Sequence, residues 1–124
     1  MEIQFTAREL DVMNALWDRG PSTVAEVRKA LEDELAYTTV LTILRILEEK
    51  GYVGHEAEGR AHRYQALVER SEAGESALRR LTNRLFSGSR ELLLTRLVED
   101  DELTEAELRR MRDLLERRLR EEEQ

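Results

Sequence analysis

The sequence predicts a mainly α-helical fold with one small β-hairpin, and two observations support this. Apolar residues recur at intervals of three and four through most of the 124 residues, and capping boxes at Thr6, Thr23 and Thr104 mark helix starts. After Gly51 the interval changes to two residues, and a glycine-containing turn at 58–60 separates the two halves. The first half of the chain therefore predicts helices followed by a hairpin.

Two helices are predicted before residue 32. The first begins at the Thr6 capping box, with Phe5 and Leu10 in hydrophobic-staple positions, and ends before Gly20 and Pro21. Its apolar side comprises Leu10, Met13, Leu16 and Trp17. The second begins at the Thr23 capping box, and its buried side comprises Val24, Val27 and Leu31.

The third predicted helix, from about residue 37 to 50, has an apolar stripe and a polar stripe. At 100° per residue the core stripe comprises Val40, Ile43, Leu44 and Leu47. The opposite side comprises Thr38, Thr42, Arg45 and Glu49. A helix that enters the DNA major groove needs short polar groups near its N-terminus and no carboxylate directed at phosphates. This stripe therefore predicts a DNA-reading helix.

Charge gives two opposing indications. The net charge is −7, whereas a nucleic-acid-binding protein is expected to be basic. However, 27 residues of the chain are acidic and none of them lies in the window 35–47, and in the window 36–65 every acid is at Glu48 or later. The arginines Arg60 and Arg63 flank the hairpin tip, where they can contact phosphates. Because threonine-rich first turns are also common helix caps and short acid-free windows arise by chance, a purely structural role stays open.

Three helices followed by a hairpin, with a short link between helices two and three, form the winged helix-turn-helix pattern. We assign residues 1–68 to this DNA-binding domain. Residues 69–124 predict a three-helix dimerisation domain, with helices at about 72–86, 89–98 and 105–122. These short helices carry more leucines than one chain can cover, which indicates a symmetric homodimer. The alternative, in which they fold back onto their own winged domain, also stays open.

Several other classes find no support. The chain has no cysteine, no apolar run of roughly 20 residues and no N-terminal signal pattern, so we expect a soluble cytoplasmic protein without disulfides. The sequence contains no phosphate-binding glycine loop and no nucleophile with an evident base, so we expect neither an enzyme nor a cofactor. His55 and His62 can face each other across the hairpin, but two ligands do not make a metal site; histidine titration there would make the contact pH-sensitive.

The chain resembles the penicillinase repressor family (the BlaI/MecI/CopY group) over nearly its whole length. The segment that most closely resembles this family's recognition helix is AYTTVLTILRILEEKGYV at 36–53. Similar segments in matching order are ELDVM at 9–13 with Trp17, TVAEV at 23–27, RAHRY at 60–64, FSGS at 86–89, residues 92–98 and ELT at 102–104.

This resemblance implies a homodimeric transcriptional repressor that binds a dyad-symmetric, palindromic operator in double-stranded DNA and is released by a signal. The DNA contacts that it implies are Tyr37, Thr38, Thr39, Thr42 and Arg45 on the helix, with Arg60, His62 and Arg63 on the wing. The dimerisation residues we expect are Leu81, Leu85, Leu92, Leu93, Leu97, Leu108, Met111, Leu115 and Leu119.

The releasing signal differs among members of this family. Copper-responsive members have a cysteine-rich C-terminus, which this chain lacks. In β-lactam-responsive members a membrane sensor-protease pathway cuts the dimerisation domain, and the equivalent bond here is near Arg96-Leu97. The family pattern at that bond is an asparagine before an aromatic residue, which this sequence lacks. Two other functions stay open: a winged-helix protein–protein interaction module and an effector-sensing winged-helix regulator.

Overall fold

The computed structural model describes residues 2–124 and confirms the predicted fold class. The helices are α1 Ala7–Arg19, α2 Val24–Ala30, α3 Tyr37–Glu49, α4 Arg70–Leu85, α5 Arg90–Val98 and α6 Glu105–Glu122. The strands are β1 Ser22–Thr23, β2 Val53–Glu58 and β3 Ala61–Ala66. The chain divides into two compact units, Met1–Arg79 and Arg80–Gln124. In the described part of the chain, no helix combines the length and apolar character needed to cross a membrane.

All three predicted capping boxes form. In α1 the Thr6 hydroxyl accepts a hydrogen bond from the Glu9 amide at 3.2 Å, and the Glu9 carboxylate accepts one from the Thr6 amide at 2.8 Å. The same reciprocal pair begins α2 at Thr23 and α6 at Thr104. These local bonds satisfy amides that have no intrahelical partner, so the sequence signal at each helix start was sufficient to place it.

The core of the first unit lies between α1, α2, α3 and the sheet. The predicted stripe of α3 is buried, since Val40, Leu44 and Leu47 are 0% exposed and Ile43 is 9% exposed. The predicted apolar side of α1 was wrong in one position, because Leu10 is 41% exposed while Val12 is fully buried. The predicted hydrophobic staple therefore packs against the core only on its Phe5 side. The Phe5 ring packs edge-on against Trp17 and Tyr52, with ring centroids 6.1 Å apart for Trp17 and 5.0 Å apart for Tyr52.

The sheet is antiparallel, with strand order β1-β3-β2. The hairpin pairs Val53 with Ala66 at its base and Glu58 with Ala61 at its tip, where Gly59 has φ 61°. A left-handed conformation of this kind favours glycine in a tight turn. The short β1 adds Thr23 opposite Arg63 on the other edge of β3, so the wing is joined directly to the start of α2.

The first half of α4 belongs to the first unit. The amide of Ile3 donates a hydrogen bond to the Ser76 hydroxyl at 3.0 Å, and Ala73 is buried. The Trp17 indole N–H donates to the Val68 carbonyl at 3.0 Å, and the Arg70 guanidinium lies 5.2 Å from the Trp17 ring centroid. The contacts that close the first unit therefore continue for about ten residues beyond the hairpin.

The second unit is built differently. It contains the end of α4 together with α5 and α6, and neither α5 nor α6 has a buried residue. Of its leucines, Leu85 is 71% exposed, Leu119 62% and Leu114 54%. This unit leaves extensive apolar surface uncovered in a single chain.

Candidate DNA-binding surface

The exposed side of α3 brings together the helix residues predicted to read DNA. Tyr37 is 48% exposed, and Thr38, Thr39, Thr42 and Arg45 are all exposed as well. Burial of the opposite stripe fixes the rotation of α3, because turning the helix would expose its core valine and leucines. The core packing therefore holds these five side chains at the surface.

The N-terminal end of α3 differs in chemistry from the other capped helices. Its first turn contains no acidic residue, and its N-cap Ala36 makes no side-chain hydrogen bond. The Thr42 hydroxyl donates to the Thr38 carbonyl at 2.9 Å, which leaves its oxygen able to accept. The positive end of the helix dipole is thus not neutralised by a carboxylate of its own first turn.

The carboxylates of α3 lie at its C-terminal end. Glu48 is half-buried and contacts the wing, where His55 Nδ1 lies 2.6 Å from one of its oxygens. Glu49 is exposed and follows Arg45 on the polar stripe. The approach of a phosphate is therefore less opposed at the threonine-rich end of α3 than at this end.

The hairpin presents its predicted DNA contacts in two environments. Arg60 is exposed at the tip, and no ion pair of its guanidinium is found within residues 2–124. His62 is also exposed and stacks on His55 with ring centroids 4.3 Å apart. The expected contact between the two histidines is confirmed, and within the described range no group of three or more histidine, cysteine, aspartate or glutamate residues is placed to hold a metal.

Arg63, by contrast, is bound within the protein. Its guanidinium makes a two-point contact with the Glu58 carboxylate, and its Nη1 also donates to Glu26 at 3.1 Å and to the Pro21 carbonyl at 3.0 Å. The hydrogen bond to Glu58 raises the pKa of Arg63 and lowers the pKa of Glu58. The structure therefore places Arg63 among carboxylates and not free at the wing surface.

Two carboxylates in this region have roles that the sequence reasoning missed. Glu26 was identified as a helix cap, but it also receives Arg63 and lies 3.6 Å from Arg19. Hydrogen bonds from Thr23 hold the pKa of Glu26 below its usual value, with Arg63 and Arg19 adding to the effect. The sequence pattern predicts Glu58 only as part of the turn. A diagonal cross-strand contact could have indicated this ion pair, since Glu58 pairs with Ala61 and Arg63 lies two residues further along β3, on the same face of the hairpin.

Glu9 is a third such carboxylate, and it is almost fully buried. Besides capping α1, it receives the Lys50 ammonium at 2.8 Å, which joins the start of α1 to the end of α3. Burial raises the pKa of this carboxyl, but the hydrogen bonds from Lys50 and Thr6 outweigh burial and bring the pKa below its usual value. This ion pair helps to hold the C-terminal end of α3 in place.

The predicted dimerisation residues lie mostly at the surface of the second unit and the end of α4. Half-buried members of the set are Leu93 and Met111. Exposed members are Leu81, Leu85, Leu92, Leu97, Leu108, Leu115 and Leu119. The possible cleavage position, Arg96 and Leu97, lies within the last turn of α5, where Arg96 pairs with Glu99 at 3.4 Å.

The helix α3 packs one stripe into the core and exposes another that has no acidic residue before Glu48, and a β-hairpin follows it. This arrangement defines a protein of the winged-helix class.

Comparison with known proteins identifies the family. The model of the penicillinase repressor family matches residues 5–117. The penicillinase repressor of Bacillus licheniformis is 28% identical over 91% of this chain and 90% of its own length. The transcriptional regulator BlaI of Mycobacterium tuberculosis is 40% identical over 73% of this chain and 69% of its own length.

A solved structure agrees with these relatives. The solution structure of monomeric Bacillus licheniformis BlaI in complex with the blaP half-operator has a TM-score of 0.50 and 30% identity, over 58% of this chain and 90% of that chain. The chain belongs to the penicillinase repressor family, whose members are DNA-binding transcriptional repressors and not enzymes. The family resemblance drawn from the sequence is confirmed.

Proposed function

We propose that this protein is a homodimeric repressor that binds a dyad-symmetric operator and is released from it by an inducing signal. The observation that carries this proposal is the exposed face of α3, which presents Tyr37, three threonines and Arg45 without a carboxylate before Glu48. A binding site for DNA requires this separation of charge within an acidic chain.

In this proposal α3 occupies the major groove. The hydroxyls of Thr38 and Thr39 donate to phosphates or base edges, whereas the Thr42 hydroxyl, which donates to the Thr38 carbonyl, accepts from a base edge. The threonine methyl groups contact the methyl group of thymine. Arg45, two turns into the helix, reaches a guanine edge or a phosphate. Glu48 is held against His55, which keeps its carboxylate on the wing side of the helix.

The wing supplies contacts to the neighbouring backbone. Arg60 is exposed at the tip, and His62 is exposed two residues later on β3. These two residues are the proposed wing contacts with phosphate.

Dimerisation explains how an acidic chain binds DNA firmly enough. A leucine left half exposed in water forgoes a free energy of roughly 1 kcal/mol that burial would provide. The exposed leucines of α5 and α6 that are assigned to the dimer surface, of which Leu97 is 49% and Leu115 50% exposed, gain that burial in a second copy of the chain. Two linked reading helices then bind successive major grooves, so the second contact is intramolecular and avidity rises.

Release would follow from loss of the dimer. Cleavage near Arg96-Leu97, as in a β-lactam-induced sensor-protease pathway, would cut within α5, so the helix would have to unwind locally before a protease could bind it. A cut there would separate α6 and its leucines from the reading head, and the second contact with DNA would be lost.

The proposal is tested by selecting bound fragments from the source genome with the purified protein and measuring their affinities by fluorescence anisotropy. We expect the selected palindrome to bind on the order of 1,000-fold more tightly than its scrambled version, with affinity falling steeply as salt rises.

Arg45→Gln is the matched substitution on α3, and Arg118→Gln on α6 is its control because both remove one exposed arginine. We expect Arg45→Gln to weaken the palindrome by roughly tenfold or more and Arg118→Gln to leave it nearly unchanged. Equal affinity of the wild-type protein for palindrome and scrambled DNA would refute operator binding and favour a protein-interaction role. A small molecule that abolishes specific binding would point to an effector-sensing regulator.

A further inference from the structure

We infer that Arg63 is a positioning residue, which holds the wing so that Arg60 reaches the DNA backbone, and that Glu26 and Glu58 are its partners. This inference rests on the proposed function. It assigns to Arg63 a role different from the direct DNA contact that the family resemblance implies. The difference follows from how the guanidinium is bound.

The donors of Arg63 are largely used within the protein. A guanidinium has five N–H groups. The Nε of Arg63 and one N–H of Nη2 point to the two oxygens of Glu58, while Nη1 donates to Glu26 and to the Pro21 carbonyl. Four of the five N–H groups are therefore occupied. A phosphate oxygen that bound this side chain in the usual two-point manner would have to displace a carboxylate.

The position of Arg63 in the sheet explains what these bonds connect. Arg63 is on the central strand β3, opposite Thr23 of β1. Its bond to Glu26 ties β3 to the first turn of α2, where Glu26 also caps the helix. Its bond to Glu58 ties β3 to the last residue of β2, immediately before the turn that carries Arg60. Arg63 thus joins the hairpin tip to the helical body.

Electrostatics disfavour a phosphate at this position. Two carboxylates surround one guanidinium, and Arg19 is 3.6 Å from Glu26, so the cluster as a whole has no excess of positive charge. Arg60 differs because no ion pair offsets its charge among the described residues. A phosphate that approaches the wing therefore gains more from Arg60 than from Arg63.

The inference is tested by the salt dependence of operator binding in a double-mutant cycle with Arg60→Gln and Arg63→Gln. The slope of log affinity against log salt is negative, and loss of one phosphate contact reduces its magnitude by about 0.9, hence by about 1.8 for a dimer with two wings. If Arg63 positions Arg60, each single variant reduces the magnitude by this amount and the double variant reduces it no further.

Two results of this cycle overturn the inference. If the magnitude of the slope in the double variant falls by the sum of the two single effects, Arg63 is a direct phosphate contact. An unchanged slope in Arg63→Gln would make the cluster irrelevant to the wing. If the wild-type protein itself shows no preference for its palindrome, the proposed function fails first, and that failure is seen before any variant is measured.

A second pair of variants gives a test that does not depend on the folding of Arg63→Gln. Glu58→Ala and Glu56→Ala each remove one exposed carboxylate from β2, but Glu56 makes no hydrogen bond to Arg63 in the structure. Electrostatics alone predict stronger DNA binding for both variants. The positioning role predicts that Glu58→Ala binds the operator severalfold more weakly than Glu56→Ala at equal salt. If Glu58→Ala binds the operator as tightly as Glu56→Ala or more tightly, the contact between Glu58 and Arg63 does not position the wing for DNA, and the inference is wrong.

Discussion

The two units of the molecule use the same local helix signals and reach opposite states of burial. In the first unit, Met1–Arg79, α1 and α2 each begin with a threonine-glutamate capping box, and in the second unit, Arg80–Gln124, α6 begins with another. In the first unit the capped helices close over a core that includes Val12, Val27 and Leu44 at 0% exposure. In the second unit α5 and α6 have no buried residue.

This difference shows what capping can and cannot determine. A capping box fixes where a helix begins and contributes about 1 kcal/mol, but it gives no information about what the helix packs against. Sheet and helix residues in the first unit cover one another. The second unit has two short helices and the end of a third, which together leave leucines half exposed, and its proposed partner is another copy of the same surface.

The largest effect is expected from breaking the proposed dimer surface. Leu115→Asp places a charge on the apolar stripe of α6, where it would be buried without a partner in the dimer. We expect the dimer to dissociate and operator affinity to fall by about 100-fold or more, because the avidity of two linked readers is lost. Sedimentation and anisotropy measure the two changes on the same sample.

Leu114→Asp is the matched control for this substitution. Leu114 and Leu115 are neighbours on α6 and are similarly exposed, at 54% and 50%, but Leu114 is rotated by 100° and was not assigned to the dimer surface. We expect Leu114→Asp to remain dimeric and to bind nearly as the wild type does. A monomeric Leu115→Asp variant that retained full operator affinity would refute the avidity argument.

An intermediate effect is expected from shortening the first unit. A fragment of residues 1–68 lacks the bond between Ile3 and Ser76, the packing of Ala73 and the stacking of Arg70 on Trp17. A fragment of residues 1–79 retains all three. We expect the shorter fragment to be less stable by about 2 kcal/mol, which is the sum of one hydrogen bond, one cation–π contact and a small apolar group.

The fluorescence of Trp17, the single tryptophan of the chain, follows unfolding of both fragments in urea. Ser76→Ala in the longer fragment isolates the hydrogen bond, with an expected loss of about 1 kcal/mol. Equal midpoints for fragments 1–68 and 1–79 would show that the start of α4 adds nothing to the first unit.

The fold was largely predictable because its signals are local or periodic. The stripe of α3 and the three capping boxes depend on spacing along one element, and all were confirmed. The exposure of Leu10 was not predicted, because one side chain at the edge of an apolar face is placed by packing with other elements. The start of α4 likewise contacts residues more than 50 positions earlier in the chain, through Ser76 with Ile3 and Arg70 with Trp17, and spacing along one element cannot predict such contacts.

The candidate site was predictable in its helix but less so in its wing. Exposure of Tyr37, Thr38 and Arg45 followed from burial of the opposite stripe. The binding of Arg63 by Glu26 joins residues 37 positions apart and depends on the pairing of β1 with β3, which has only two residues and no sequence signal of its own. The sequence therefore predicts which arginines lie near the hairpin tip, but not which of them are bound by carboxylates of the protein itself.

The smallest effect concerns acid, and it tests whether the first unit owes part of its closure to charge as well as to apolar packing. Burial raises the pKa of Glu9, but its bonds to Lys50 and Thr6 lower that pKa by more than burial raises it. The Glu9 carboxyl therefore binds a proton less tightly in the native state than in the unfolded chain. The resulting stability is present above the usual carboxyl pKa of 4.5 and is lost as pH falls through the lower native value. In Glu9→Gln we expect a loss of about 1 kcal/mol at neutral pH and a flatter dependence of stability on pH in the acid range, both followed by Trp17 fluorescence.

Glu107→Gln is the control, since Glu107 has the same capping position at the start of α6 in the second unit and lacks a lysine partner among the described residues. If Glu9→Gln keeps the full acid dependence of the wild type, the ion pair between α1 and α3 does not contribute to the closure of the first unit.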